Sequence, residues 1–165
     1  MDFTSGDTRD CPYYLSTRAS LSITAELKKA FAAAGVEAVK PAYLGVLMCL
    51  WNEDAFDEVL GKLGKRDGVR IAELGLCAGL EPSTMTGLID RMERDGLVYR
   101  ADDPRDRRVQ NIHLTELGSS VRAKVLKAVD ATLKKSFKGI DEKKIKIAKD
   151  VLRQVLINTN RGNIE

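Results

Sequence analysis

Two short helical patterns split by a tight turn, followed at once by two strand-like runs around a charged turn, constrain this chain more than any bulk property. Residues 70–78 carry the first helical pattern, and Gly79-Leu80 supplies the turn. Glu81-Pro82 opens the second helix, because proline is tolerated in a first turn where its missing N–H has no partner to lose. Met85, Leu88, Ile89 and Met92 recur at i, i+3, i+4 and i+7, which gathers them on one buried stripe. Ser83, Thr84, Thr86, Gly87, Asp90, Arg91 and Arg94 therefore point elsewhere, and Gly96 closes the helix. Leu97 to Arg100 and Val109 to Leu114 read as β-strands around the turn-forming, highly charged Ala101 to Arg108. The pattern is a helix-turn-helix with a two-stranded wing.

Long helices flank it. From Pro12 to Ala34, Leu15, Ala19, Ile23, Leu27, Ala30, Phe31 and Ala34 form one stripe that Gly35 ends. Pro41 fits the first turn of a second helix whose Tyr43, Leu44, Val46, Leu47, Met48, Leu50 and Trp51 leave almost no polar face, so it is expected to be buried. Residues 52–68 hold Phe56, Val59, Leu60 and Leu63 at helical spacing among glycines and charges, a short helix plus loop of open role. Thr115 can cap a helix whose stripe runs through Leu117, Val121, Val125, Ala128, Val129, Thr132 and Leu133 to about Phe137, where Gly139 breaks it. Asp141 can cap the last helix, in which Ala148, Val151, Leu152, Val155 and Leu156 make a seam suited to another helix of this chain or of a second one. With 5% aromatic residues, the whole reads as one mainly α domain over 1–165 with a small β-wing.

Charge is unevenly placed. Residues 1–121 hold 15 Lys+Arg against 19 Asp+Glu, whereas residues 122–153 hold 11 against 4, so the tail is basic. A basic helix can meet phosphate or an acidic partner, or simply be a solvated face. The opening ten residues are polar and acidic and the longest apolar run, Ala42 to Trp51, is about half a membrane span, so neither export nor membrane insertion is expected and the cytoplasm is the natural home. Three cysteines without paired spacing argue against a disulfide framework or a zinc site. His113 stands without a nucleophile elbow, phosphate loop or metal-ligand cluster, so no enzyme, cofactor or metal is expected.

Residues 73–118 resemble the MarR family of bacterial winged helix-turn-helix transcription regulators. The resemblance is carried by P-S-T-x-T at Pro82 to Thr86, I-D-R-M-E-R-D-G-L-V at Ile89 to Val98, D-P-R-D-R-R at Asp103 to Arg108 and L-T-E-L-G at Leu114 to Gly118. It implies a homodimer whose terminal helices, 12–51 and 115–160, interlock, and whose winged lobes, 69–114, bind a roughly palindromic operator in double-stranded DNA as a ligand-responsive repressor. The rival from another class is a winged-helix interaction module that binds an acidic partner and reads no DNA.

Within that architecture a helix entering the major groove offers its N-terminal residues to phosphates and base edges. Ser83 and Thr84 suit phosphate, Thr86 a base edge or thymine methyl, and Arg91 a guanine or phosphate. Arg105, Arg107 and Arg108 on the wing suit a narrow minor groove, and the resemblance implies that Asp106 orients a neighbouring arginine. A small phenolic or anionic effector is implied between dimer region and winged lobe, where Tyr13, Tyr14, Tyr43 and Trp51 are candidate contributors, although core packing also explains them. Some members sense peroxide through a cysteine near the start of the first helix, and Cys11 is a candidate redox sensor there. Cys49 in a buried run and Cys77 in the first helix of the motif read as structural.

Two features depart from the family pattern. Gly87 stands where many members carry arginine, which removes a DNA contact and weakens the helix by about 1 kcal/mol relative to alanine. From Glu81 to Asp95 there are two arginines against four acids, so attraction to DNA is expected to come from the wing and other surfaces.

Overall fold

The computed structural model describes residues 8–51, 68–103 and 109–160. Its helices are α1 (Pro12–Ala33), α2 (Leu44–Trp51), α3 (Ile71–Ala78), α4 (Pro82–Arg94), α5 (Glu116–Ser120), α6 (Arg122–Ser136) and α7 (Glu142–Asn160). The strands are β1 (Val69–Arg70), β2 (Val98–Asp102) and β3 (Gln110–Leu114). The mainly helical architecture with a small wing is as the sequence predicts.

Most boundaries follow local chemistry. Pro12 starts α1 and Gly35, at φ +66°, turns the chain after it. Pro41–Tyr43 forms a single 3-10 turn that runs directly into α2. Thr115 caps α5, its hydroxyl accepting the Gly118 N–H at 2.9 Å, and the Asp141 carboxylate accepts the Lys143 N–H at 2.8 Å ahead of α7. The helix expected from Thr115 to Phe137 is two, α5 and α6, meeting at Val121.

The wing has three strands rather than the expected two. β1 pairs antiparallel with β3, Val69 opposite Ile112 and Arg70 opposite Asn111, so the sheet order is β1-β3-β2. A two-residue strand gives no alternation for a sequence pattern to register. The expected short helix and loop over 52–68 fall, except for Gly68, outside the described residues.

The core lies where the lobe helices meet the sheet and the first two helices. Phe31, Val46, Leu47, Leu74, Met85, Ile89, Met92, Leu97, Ile112 and Val125 are essentially fully buried. α6 packs along α1, and at the surface Lys135 of α6 reaches across to the Glu26 carboxylate of α1, which Lys29 of the same helix also holds. These ammonium groups lower the Glu26 pKa from 4.5 to about 2. No helix of the described residues is long and apolar enough to cross a membrane.

Candidate nucleic-acid interface

α4 is two-faced. Met85, Leu88, Ile89 and Met92 are buried, while Ser83, Thr84, Thr86 and Arg91 are exposed, as the spacing predicts. Three polar residues of the first two turns and one arginine further along thus share the solvent side of a thirteen-residue helix. Its amino end is open: Glu81 precedes the helix in extended conformation and its side chain makes no capping hydrogen bond, so the first N–H groups keep their capacity for an anion.

The approach of α3 to α4 is fixed by glycines. Gly79 takes the left-handed conformation at φ +65°, which turns the chain between the helices. Gly75 lies so close to the turn that a Cβ there would stand 3.0 Å from the Leu80 carbonyl oxygen and 3.3 Å from Met85 Cγ.

Three of the four acids that weigh against DNA binding have partners. Arg100, reaching across from β2, bonds the Asp90 carboxylate at 2.5 Å and also the Glu93 carboxylate. Its own side chain is only 19% exposed, so one guanidinium is spent locally to offset two carboxylates on the helix. Asp95, the residue that caps α4, accepts the Tyr43 hydroxyl at 2.7 Å. Sequence reasoning missed Arg100, although a cation two residues into a strand that follows an acidic helix was available as a signal.

The wing is braced at its neck. The Asp103 N–H donates to the Val109 carbonyl at 2.8 Å, and buried Asn111 donates its side-chain amide to the Asp103 carboxylate at 3.2 Å. Tyr99 and His113 stack across the sheet with ring centroids 5.0 Å apart, so His113 packs as a structural histidine. Arg105, Asp106, Arg107 and Arg108, the expected wing contacts, lie outside the described residues.

The four candidate pocket aromatics separate into two pairs. Tyr43 and Trp51 are buried and hold partners, the Trp51 indole N–H donating to the Gly118 carbonyl at 2.9 Å, whereas Tyr13 and Tyr14 are exposed at the start of α1. Cys11 immediately precedes α1 and is half-buried. Cys49 and Cys77, read from sequence as two separate structural thiols, are joined as a disulfide. Their 28-residue separation carries no sequence signature that would have paired them.

Comparison with known proteins agrees with this geometry. A sequence model of the MarR family matches residues 58–109. The HTH-type transcriptional repressor IacR of Pseudomonas putida is 31% identical over 100 residues, which cover 61% of this chain and 60% of that relative's length. The crystal structure of CouR from Rhodococcus jostii RHA1 bound to p-coumaroyl-CoA superposes with a TM-score of 0.67 at 28% identity, covering 92% of this chain and 95% of that one. Sco3205 of Streptomyces coelicolor, a MarR family transcriptional regulator crystallised in complex with DNA, shares the fold with a TM-score of 0.70 at 19% identity, covering 93% of this chain and 89% of that one.

Proposed function

We propose that the chain is a MarR-family winged helix-turn-helix transcription regulator, a homodimeric, ligand-responsive repressor that binds a palindromic operator. The observation that carries this reading is the outer face of α4, where Ser83, Thr84, Thr86 and Arg91 are exposed together above a fully buried stripe. Ser83 and Thr84 meet phosphate, Thr86 and Arg91 read base edges, and Arg105, Arg107 and Arg108 enter the minor groove with Asp106 orienting one of them. A dimer is supported by α7, whose Ile147, Val151, Leu152, Val155, Leu156 and Ile157 are each at least half exposed, an apolar face too long for a solvated monomer. The aromatic acyl-CoA held by CouR supports a phenolic or anionic effector as the class to test.

The experiment is a gel shift with DNA from upstream of the protein's own reading frame, followed by a screen of phenolic acids and their CoA thioesters for release. Binding that a random duplex does not compete away supports a sequence reader. Equal affinity for every duplex, or binding only to acidic protein, sinks it.

A further inference from the structure

We propose that Cys49 and Cys77 are a reversible redox pair, oxidised by a hydroperoxide, that couples the oxidation state of the surroundings to the setting of the helix-turn-helix. The bond joins separate elements: Cys49 is on α2, Cys77 is in the last turn of α3, and their Cα atoms are 6.4 Å apart. Cys49 is buried in the core and Cys77 is half-buried, so one sulfur is sheltered and the other is within reach of a small oxidant. On the DNA-binding reading the chain works in a reducing compartment, where disulfides are rare and are mostly transient ones with a catalytic or redox-sensing role.

The chemistry balances with one hydroperoxide. The Cys77 thiolate attacks the peroxide, the O–O bond breaks, an alcohol leaves and Cys77 carries a sulfenic acid. The Cys49 thiolate then displaces the hydroxyl, which leaves as water, and the S–S bond forms. Two electrons have moved from the sulfurs to the peroxide. A small dithiol reverses the step by exchange and is itself oxidised to a disulfide.

The position gives the bond its consequence. Cys77 lies two residues before Gly79, where the chain turns towards α4, and the Leu80 N–H donates to the Gly75 carbonyl at 2.9 Å just behind it. Beside it Ala78 is in close contact with α2, since a Cβ on Gly45 would stand 3.4 Å from the Ala78 Cβ. The end of α3 is thus gripped by α2 on one side and passes directly into the recognition helix on the other. Two unbonded sulfurs require van der Waals separation, so reduction must widen the α2–α3 contact or rotate a side chain beside it. The effect on operator binding rests on the DNA-binding reading; the thiol chemistry does not.

The test uses the full chain, reduced with dithiothreitol, desalted, and treated with cumene hydroperoxide. Alkylation under denaturing conditions and mass spectrometry, read at each cysteine, should find Cys49 and Cys77 labelled before oxidation, neither afterwards, and both again on reduction, whatever becomes of Cys11. Trp51, the single tryptophan, is two residues from Cys49, and its emission should change with oxidation in the natural chain but not in Cys77→Ser or Cys49→Ala. Reduced and oxidised forms should differ in operator Kd by about fivefold or more, a difference that both variants lose. Cys49 and Cys77 thiols that persist through oxidation overturn the proposal, as does a bond that forms while operator affinity stays the same. If neither form binds DNA while the thiol count and Trp51 emission follow oxidation, the redox pair stands and the DNA-binding reading fails.

Discussion

The Tyr43 hydroxyl donates to Oδ2 of Asp95 across 2.7 Å, tying the turn that begins α2 to the residue that caps α4 at its carboxyl end. Burial, and next the hydrogen bond to the Asp95 carboxylate, push the Tyr43 pKa up to about 12. Tyr43→Phe removes one charge-assisted hydrogen bond without opening a cavity, and should cost about 1–2 kcal/mol in urea unfolding. Because the folded pKa is the higher one, this contribution is complete below pH 10 and is lost as pH rises from 10 towards 12. A stability profile over that range identical in Tyr43→Phe and the natural chain removes the tie from the account.

Arg100→Gln frees Asp90 and Glu93 on the helix proposed to lie against phosphate. Both carboxylates are substantially exposed, so stability should change by less than about 1 kcal/mol. Operator affinity should fall about tenfold at low salt, and the deficit should shrink as salt rises. A large loss of stability with unaltered affinity in the remaining folded protein contradicts this role.

Gly118→Ala tests how the lobe joins the terminal helices. A Cβ at this position would stand 2.0 Å from the Leu97 carbonyl oxygen, while the Gly118 carbonyl accepts the Trp51 indole. The backbone must move, and a loss of about 2–4 kcal/mol with a shift in Trp51 emission is expected. Denaturation followed by that fluorescence reads both at once.

Glu26 makes the acid side of the profile specific. Its folded pKa of about 2 lies below the ordinary 4.5, held there first by the hydrogen bond from Lys135 and next by that from Lys29. The stabilisation is therefore present above pH 4.5 and is lost as pH falls towards 2. In Glu26→Gln the α1–α6 junction should lack that part of the acid dependence, as amide exchange at pH 3 and pH 6 would reveal.

The helix-turn-helix was legible because α4 must bury Met85, Leu88, Ile89 and Met92, and a strict i, i+3, i+4, i+7 stripe fixes which side chains are left for solvent. Caps at Thr115 and ahead of α7 were legible for the same local reason. Contacts between distant segments were not. The reach of Arg100 to α4, the Tyr43–Asp95 tie and the Cys49–Cys77 bond depend on packing that no spacing encodes. β1 escaped notice because its two residues gain strand character only by pairing with β3.

The central claim is that the exposed face of α4 reads bases. Binding-site selection with the natural chain and with Thr86→Ala and Arg91→Ala, each titrated against salt, tests it most directly. Both variants should relax the preference at one or two symmetric positions of the half-site, at a cost of about 1–3 kcal/mol each, with Thr86→Ala keeping the salt slope of the natural chain. An unchanged preference in both variants would contradict the account.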